Sequence, residues 1–226
     1  ITGKIDEFSP KSKKVHIDID PSSINKNVKV DLPIIGDVAE VITSTIKTIK
    51  KTKPNFAKSN KQKISKWWEK IQKWRSVNSF NFVNSEDTIK PQYAIQRLYE
   101  LTKNKDTYIT TEVGQHQMWA AQHYKFNKPN RWMTSGGLGT MGYGLPAAVG
   151  VQIAHPDKLV IDIAGEASVL MTMQEMSTAV QYNLPIKIFI LNNQYMGMVR
   201  QWQELLHDKN YSESYTAALP DFVKLA

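Results

Sequence analysis

Two stretches decide the fold: Lys158-Leu-Val-Ile-Asp-Ile-Ala-Gly-Glu-Ala-Ser168 and Ile186-Lys-Ile-Phe-Ile-Leu-Asn-Asn-Gln194. Each is a short apolar run, rich in β-branched residues, that ends in glycine or polar residues. This pattern predicts buried strands over 158–164 and 186–191. The residues between them have helical spacing and predict a helix over 168–182. A strand, a helix and a second strand in this order form the unit of a parallel sheet.

The same alternation continues outward from this unit. An apolar stripe after Pro91 predicts a helix, and residues 108–113 read as a strand. Further helices are predicted at 115–123, 145–154 and 197–206, with a glycine-rich run at 136–144. Strands that alternate with helices predict an α/β fold with a doubly wound parallel sheet.

The first 49 residues predict the end of another α/β domain. Two short runs, 11–20 and 32–37, read as strands, and helical spacing follows over 38–49. Residues 50–85 are rich in lysine, asparagine and serine and predict a basic linker, which leaves 86–226 for the main sheet domain. Because the chain starts without Met and ends within an apolar period, we expect an internal segment of a longer protein.

Charge and cysteine content exclude several classes of function. The formal charge is +8, but ten lysines and one arginine against the single acid Glu69 place +10 within residues 47–75, so the rest carries −2. The parts that look folded are therefore near neutral, which argues against a nucleic-acid-binding domain. A sequence without cysteine has no disulfide, Fe–S cluster or thiolate zinc site, and it fits a cytoplasmic protein. No apolar run approaches the ~18 residues of a membrane helix, so we predict no membrane partner.

Trp67, Trp68 and Trp74 lie within the basic stretch. Basic residues interleaved with aromatic rings can bind single-stranded nucleic acid by stacking. The alternative is a solvated helix whose tryptophans pack it onto a neighbour. We favour this alternative, and predict no nucleic-acid partner, because Trp67 and Trp74 are seven residues apart and share one helix face.

Polar residues follow both of the deciding strands. Were these strands neighbours, ~5 Å apart, the Glu166 carboxylate and an Asn193 amide oxygen would converge at one edge of the sheet. Such oxygens, together with phosphate oxygens, suit Mg²⁺, and a helix starting near Ser168 would offer its N–H groups to a diphosphate. Taken singly, Glu166 is also an ordinary helix-start acid and Asn192-Asn193 an ordinary turn. The spacing of 27 residues between Glu166 and Asn193 makes the pair specific.

These strand ends resemble the Gly-Asp-Gly…Asn-Asn signature of thiamine-diphosphate enzymes. Closer resemblance, to acetolactate synthase large subunits, lies in Gly114-Gln-His-Gln-Met-Trp-Ala-Ala-Gln122, Ser135-Gly-Gly-Leu-Gly-Thr-Met-Gly142 and Asn192-Asn-Gln-Tyr-Met-Gly-Met-Val-Arg-Gln-Trp202. Three earlier stretches resemble the flavin-binding, Rossmann-like middle domain of that family: Ile1-Thr-Gly-Lys4, His16-Ile-Asp-Ile-Asp20 and Gly36-Asp-Val38. The resemblance covers the whole chain except residues 50–83.

The resemblance implies residues that bind thiamine diphosphate and Mg²⁺. The metal ligands would be Glu166, Asn193 and the backbone carbonyl of Tyr195. Around the cofactor would lie Gln115, His116, Gly139, Met141, Gly165, Ala167, Ser168 and Met198, with Met141 as the apolar wedge that holds the cofactor bent. From the residues alone, the glycine-rich run also fits tight packing of a strand on a helix.

Two further sets of residues come from the same resemblance. Asp18, Ile19, Asp37 and Val38 match positions that hold FAD, although spacing alone makes the two aspartates ordinary strand-end acids. Met198 and Trp202 would contact substrate, and in the family this tryptophan helps to choose the second 2-keto acid. Being four residues apart, Met198 and Trp202 share a helix face, which also fits an apolar core stripe. Selection by shape is worth ~1–3 kcal/mol for each methylene.

One position departs from the family pattern. The usual metal-binding Asp-Gly pair is replaced by Glu166-Ala167. Glutamate adds a methylene in a site with strict geometry. Our hypothesis is that Glu166 still binds Mg²⁺ through a shifted loop, with weaker cofactor affinity.

The implied activity is that of a transferase which condenses pyruvate with pyruvate or 2-ketobutyrate and releases CO₂, the first common step of branched-chain amino-acid biosynthesis. FAD would be mainly structural. The complete subunit would form a homodimer or homotetramer, with a regulatory small subunit as an optional partner. The activating glutamate belongs to the family's N-terminal domain, so we expect no catalytic residue in this stretch and no activity from it alone. The alternatives are glyoxylate carboligase, pyruvate oxidase and a non-catalytic protein that has kept the fold.

Overall fold

The computed structural model describes residues 3–226, and the chain divides into two compact units, Ile1–Ser79 and Phe80–Ala226. Ile1 and Thr2, which open the Ile1–Lys4 match, lie outside the described residues. The division falls within the stretch predicted as a linker. No helix among residues 3–226 has the length and apolarity that a membrane span requires.

The first unit begins with a two-stranded parallel sheet. Strand β1 (Val15–Asp18) pairs with β2 (Leu32–Ile35), so that Asp18 lies opposite Ile35. Helix α1 (Val38–Thr52) follows, and the Asp37 carboxylate caps it by accepting the N–H groups of Ala39 and Glu40. The two predicted strands and the predicted helix are confirmed.

Two helices complete the first unit: α2 (Phe56–Ser59) and α3 (Lys61–Arg75). The rings of Trp67 and Trp74 meet edge to face with centroids 5.6 Å apart, and the Lys70 ammonium lies over both. This confirms the predicted shared face. Each tryptophan of α3 is nevertheless 53–54% exposed. The same holds more widely in this unit, where no residue between 3 and 79 is buried.

The second unit is built on a parallel sheet with strand order β4-β3-β5-β6. In chain order its elements are α4 (Pro91–Thr102), β3 (Thr107–Thr111), α5 (Gln115–His123), β4 (Trp132–Thr134), α6 (Gly144–Ala154), β5 (Leu159–Ala164), α7 (Glu166–Val169), α8 (Glu175–Gln181), β6 (Lys187–Ile190), α9 (Gly197–Leu206) and α10 (Phe222–Leu225). The predicted α/β fold is confirmed. Strand β4 was not predicted, because three residues are too few to show a period.

Helices cover both faces of this sheet. Helices α4 and α5 pack on Ile109 and Ile161, whereas α6 packs on Tyr108 and Val160. Neighbouring residues of a strand point to opposite faces, so each pair belongs to a different layer of the core. The sheet is therefore doubly wound, as predicted.

The segment after β5 differs from the prediction of one helix over 168–182. Helix α7 is a single turn, a 3₁₀ turn follows at Leu170–Thr172, and α8 begins only at Glu175. The Ser168 hydroxyl exchanges hydrogen bonds with the N–H and carbonyl of Gly165, and the Thr172 hydroxyl donates to the Gly142 carbonyl. Such side-chain bonds compete with a continuous helix. The prediction of one helix over 168–182 is therefore wrong, and the N–H groups near Ser168 belong to a single turn.

Candidate functional site

The carboxyl ends of β3, β5 and β6 meet at one edge of the sheet, where a pocket encloses about 430 Å³ including the open solvent at its mouth. Strands β5 and β6 are direct neighbours, with Ala164 opposite Ile190. The prediction that the segments after these strands lie side by side is confirmed. In open parallel sheets this edge is where ligands bind.

Most of the residues singled out from the sequence line this pocket. They are Gln115, His116, Met141, Gly165, Glu166, Ala167, Ser168, Asn193, Tyr195 and Met198. Gly139 does not line it but lies in the glycine-rich loop with a φ of +70°. Trp202 lies further along α9 and is 58% exposed. The sequence patterns did not single out Trp119, Leu191 and Val199, which add apolar surface to the pocket.

Glu166 is the first residue of α7 and is 1% exposed. Burial raises the pKa of its carboxyl, while the N–H groups of Glu166 itself, Asn193 and Tyr195 oppose that rise. Within residues 3–226, its Oε1 atom has no hydrogen-bond partner. A buried carboxylate oxygen without a donor is destabilising, and a bound cation would satisfy it.

The loop after β6 supplies the other candidate oxygens. Asn193 Oδ1 accepts the Tyr195 N–H at 3.0 Å across Gln194, which has a φ of +61°. An amide oxygen has two lone pairs, so this bond leaves one for a cation. The described part of the chain has no group of three His, Asp or Glu side chains placed to hold a metal. A metal at Glu166 would therefore need amide, carbonyl and phosphate oxygens, which Mg²⁺ accepts.

Residues 214–216 hold this loop from its other side and were missed from the sequence. The Met196 N–H donates to the Ser214 carbonyl at 2.8 Å, and the Thr216 N–H donates to the Gln194 carbonyl at 2.9 Å. The Thr216 hydroxyl is buried and faces the Glu166 carboxylate, although its Oγ1 makes no hydrogen bond to any described residue. No local pattern marks Thr216, because its place depends on how the chain returns after α9.

His116 forms the wall of the pocket beside Gly165. Burial lowers the pKa of its imidazole to about 4, and the Glu112 carbonyl only partly opposes this, so the ring is neutral at pH 7. Its Nε2 atom is buried and unpartnered among the described residues. A Cβ at position 165 would lie 2.8 Å from His116 Nδ1, which explains the need for glycine there.

The predicted flavin residues lie in the first unit. Asp18 ends β1, Asp37 caps α1, and the Gly36 N–H donates to the Asp18 carbonyl at 3.0 Å. Ile19 and Val38 follow these acids and are 71% and 55% exposed. The four residues therefore share the carboxyl end of the small sheet, where Ile19, Asp37 and Val38 are exposed and Asp18 is half-buried.

Two segments of the chain match known protein families. Residues 112–226 match the family model described as "Thiamine pyrophosphate enzyme, C-terminal TPP binding domain", and residues 1–45 match "Thiamine pyrophosphate enzyme, central domain". The first match covers half of the chain. The chain belongs to the thiamine pyrophosphate enzyme family.

Similar curated proteins are acetolactate synthase large subunits. The chain is 47% identical over 224 residues to that of Buchnera aphidicola subsp. Schizaphis graminum, a match that covers 99% of this chain and 38% of the relative. It is 45% identical to the isozyme 3 large subunit of Escherichia coli and 42% identical to the large subunit of Haemophilus influenzae, each over 100% of this chain and 38% of the relative. The resemblance predicted from the motifs is confirmed. The chain spans 38% of the length of these three relatives.

Proposed function

We propose that this chain provides the diphosphate- and metal-binding part of an acetolactate synthase large subunit. The complete protein would condense pyruvate with pyruvate or 2-ketobutyrate and release CO₂. The observation that carries the proposal is the pocket at the carboxyl edge of β3, β5 and β6, where the predicted residues gather around the buried Glu166. Identities of 42–47% to acetolactate synthase large subunits support this reaction over those of other carboligases and oxidases.

Mg²⁺ would be held by the Glu166 carboxylate, the Asn193 side-chain oxygen and the Tyr195 carbonyl. The unpartnered Oε1 of Glu166 supports this assignment, because a cation removes the cost of burying that oxygen. Glu166 lines the same pocket as Asn193 and Tyr195. We therefore expect glutamate, in place of the family's aspartate, to serve as a metal ligand at this position.

Thiamine diphosphate, when bound, supplies the nucleophilic carbon and the electron sink that decarboxylation requires. The protein binds and orients the cofactor and excludes water from it. The one N–H of the neutral His116 faces the Glu112 carbonyl, so its unpartnered Nε2 can accept a hydrogen bond from an N–H or O–H of the cofactor. Gln115 is oriented by the bond from its Nε2 to Gln201 Oε1 at 2.8 Å. Met141 and Met198 provide apolar pocket surface for the rings.

Two further groups of residues would bind FAD and the substrates. Asp18, Ile19, Asp37 and Val38 share one edge of the small sheet and would bind FAD there. Met198 lines the pocket and Trp202 follows it on α9, so this helix would select the second 2-keto acid. The homodimer or homotetramer, the regulatory small subunit, the cytoplasmic location and the lack of a nucleic-acid partner remain predictions.

The test is acetolactate formation from pyruvate by the complete subunit, with thiamine diphosphate, Mg²⁺ and FAD omitted in turn. We expect activity to disappear without thiamine diphosphate or Mg²⁺. Glu166→Gln should lower kcat/KM by about 100-fold, because the metal loses its only charged protein ligand. A folded, flavin-loaded protein that forms no acetolactate would favour glyoxylate carboligase, pyruvate oxidase or a non-catalytic scaffold.

Glu166→Asp separates the side-chain length from the charge. If the glutamate loosens the site, the aspartate variant should bind Mg²⁺ and thiamine diphosphate more tightly than the wild type. Unchanged dissociation constants for both would show that the loop has adapted to the longer side chain. Titration calorimetry on the cofactor-free subunit makes this measurement independently of activity.

A further inference from the structure

Glu112 follows β3 directly and is completely buried, yet it does not line the cofactor pocket. Its Oε2 accepts the Gly142 N–H at 2.6 Å, and its Oε1 accepts the Leu145 N–H at 3.0 Å. The N–H groups of Tyr143 and Gly144 also face this carboxylate. The Glu112 carboxylate thus serves as the acceptor for the N–H groups at the start of α6, which have no acceptor within the helix.

The charge of Glu112 suits this place. A negative charge at a helix N-terminus is stabilised by the helix dipole, and charge-assisted hydrogen bonds are stronger than neutral ones. Burial raises the pKa of Glu112, and the four N–H groups oppose that rise. Burial and the Glu112 charge together raise the pKa of the neighbouring Asp162 well above its usual range. Of these two buried acids, Glu112 accepts N–H groups of the loop, whereas Asp162 accepts the Thr110 hydroxyl.

The glycine-rich loop is held closely against the strand ends. The Gly142 carbonyl accepts the Thr172 hydroxyl at 3.1 Å, and Gly142 has a φ of +83° that L side chains rarely adopt. A Cβ at Gly144 would lie 2.6 Å from the Glu112 nitrogen and would also collide with the Asp162 carboxyl. The start of α6 therefore has one close-fitting position on β3 and β5.

The neighbours of these contacts line the pocket. Met141 directly precedes Gly142, and Gln115 and His116 follow Glu112 after only two residues. A change in the contact between Glu112 and the loop would thus displace pocket residues on both sides of it.

We propose that Glu112 is a positioning residue whose buried carboxylate fixes the glycine-rich loop to the end of β3 and thereby keeps Met141 in the same pocket as Gln115 and His116. The identity of the ligand rests on the proposed function. The fixed loop is a property of this chain and can be tested without any ligand.

The test compares Glu112→Gln with Asp162→Asn, the same chemical change at the adjacent buried acid, in the complete subunit. Two quantities are measured: amide hydrogen exchange of residues 136–146 without cofactor, and the dissociation constant of thiamine diphosphate with Mg²⁺. Glu112→Gln should speed exchange at Gly142 and Leu145 and weaken cofactor binding, each by at least about tenfold. Asp162→Asn should change both less than about twofold, because among the described residues Asp162 accepts only the Thr110 hydroxyl, from which asparagine can still accept.

Glu112→Asp keeps the charge but is one methylene shorter, so it should give intermediate values of both quantities. It also carries the test if Glu112→Gln does not fold. A purely structural role would lower the melting temperature and leave the affinity of the folded protein unchanged, which would overturn the proposal. Unchanged loop exchange in Glu112→Gln would overturn it as well. If the wild type itself does not bind thiamine diphosphate, the proposed function fails, and loop exchange alone decides the role of Glu112.

Discussion

Both predicted cofactor sites lie at the carboxyl ends of parallel strands, but the strands differ in burial. In the second unit Ile109 and Ile163 are completely buried, and Glu166 beyond them is 1% exposed with an unpartnered oxygen. In the first unit Val15 and Ile35 are 57% and 60% exposed, and the described residues up to Ser79 include no buried one. In the second unit the acid after the strand is therefore desolvated, because a packed sheet lies behind it.

Amide hydrogen exchange should show this difference most strongly. In the polypeptide of residues 1–226, we expect the amides of β3 and β5 to exchange at least about 1,000-fold more slowly than those of β1 and β2, because exchange from a packed core requires global opening. Exchange measured by NMR or mass spectrometry at neutral pH gives both values. Similar protection in the two sheets would show that the first sheet is as well packed as the second.

The close contact between Gly165 and His116 should give the next largest effect. In the complete subunit, Gly165→Ala should weaken thiamine diphosphate binding by about 100-fold, because its Cβ would displace the His116 ring from the pocket wall. The matched control is Gly150→Ala on α6, where a Cβ meets nothing within 4 Å. This variant should keep the affinity and stabilise the protein by up to ~1 kcal/mol. Equal affinities of the two variants would show that the contact does not shape the site.

His116 predicts a pH dependence of stability. Its pKa of about 4 is below the unfolded value, so the unfolded state binds the proton first as the pH falls. The contribution of His116 to stability should therefore decrease from about pH 6.5 downward and level off below pH 4, by ~3 kcal/mol in total. Urea unfolding of wild type and His116→Gln between pH 7 and 5 measures the slope, which should be smaller in the variant. If the imidazole NMR signal assigned to His116 titrates near pH 6.5, the ring is not buried and neutral as described.

The tryptophan pair of α3 should give the smallest effect. Trp67→Leu removes an edge-to-face contact with Trp74, but both rings are 54% exposed. We expect a loss of no more than ~1 kcal/mol in urea unfolding. Trp68→Leu, which removes an equally large ring outside the pair, is the control. A loss of several kcal/mol at Trp67 would mean that this helix is buried in the folded protein.

Elements that depend on interactions between residues close in sequence could be predicted, and elements that depend on distant residues could not. Gln115–His123 and Gly197–Leu206 are helices with the predicted bounds, because local spacing and flanking glycines determine them. The break after α7 could not be predicted, because it depends on a bond from Thr172 to the distant Gly142. Likewise, nothing local marks Glu112 or Thr216, since their partners are supplied by the tertiary fold. Glu166, Ser168 and Asn193 were found from the strand ends, and the other predicted pocket residues from a family resemblance.

Glu166 is the residue proposed to make the edge of the second sheet a Mg²⁺ and diphosphate site, and this role can be measured. Titration calorimetry of thiamine diphosphate into the complete, cofactor-free subunit with Mg²⁺ tests it most directly, comparing wild type, Glu166→Gln and the control Glu175→Gln on α8. We expect Mg²⁺-dependent binding that weakens by about 100-fold in Glu166→Gln and is unchanged in Glu175→Gln. Equal affinity of all three proteins, or binding that does not require Mg²⁺, would contradict it.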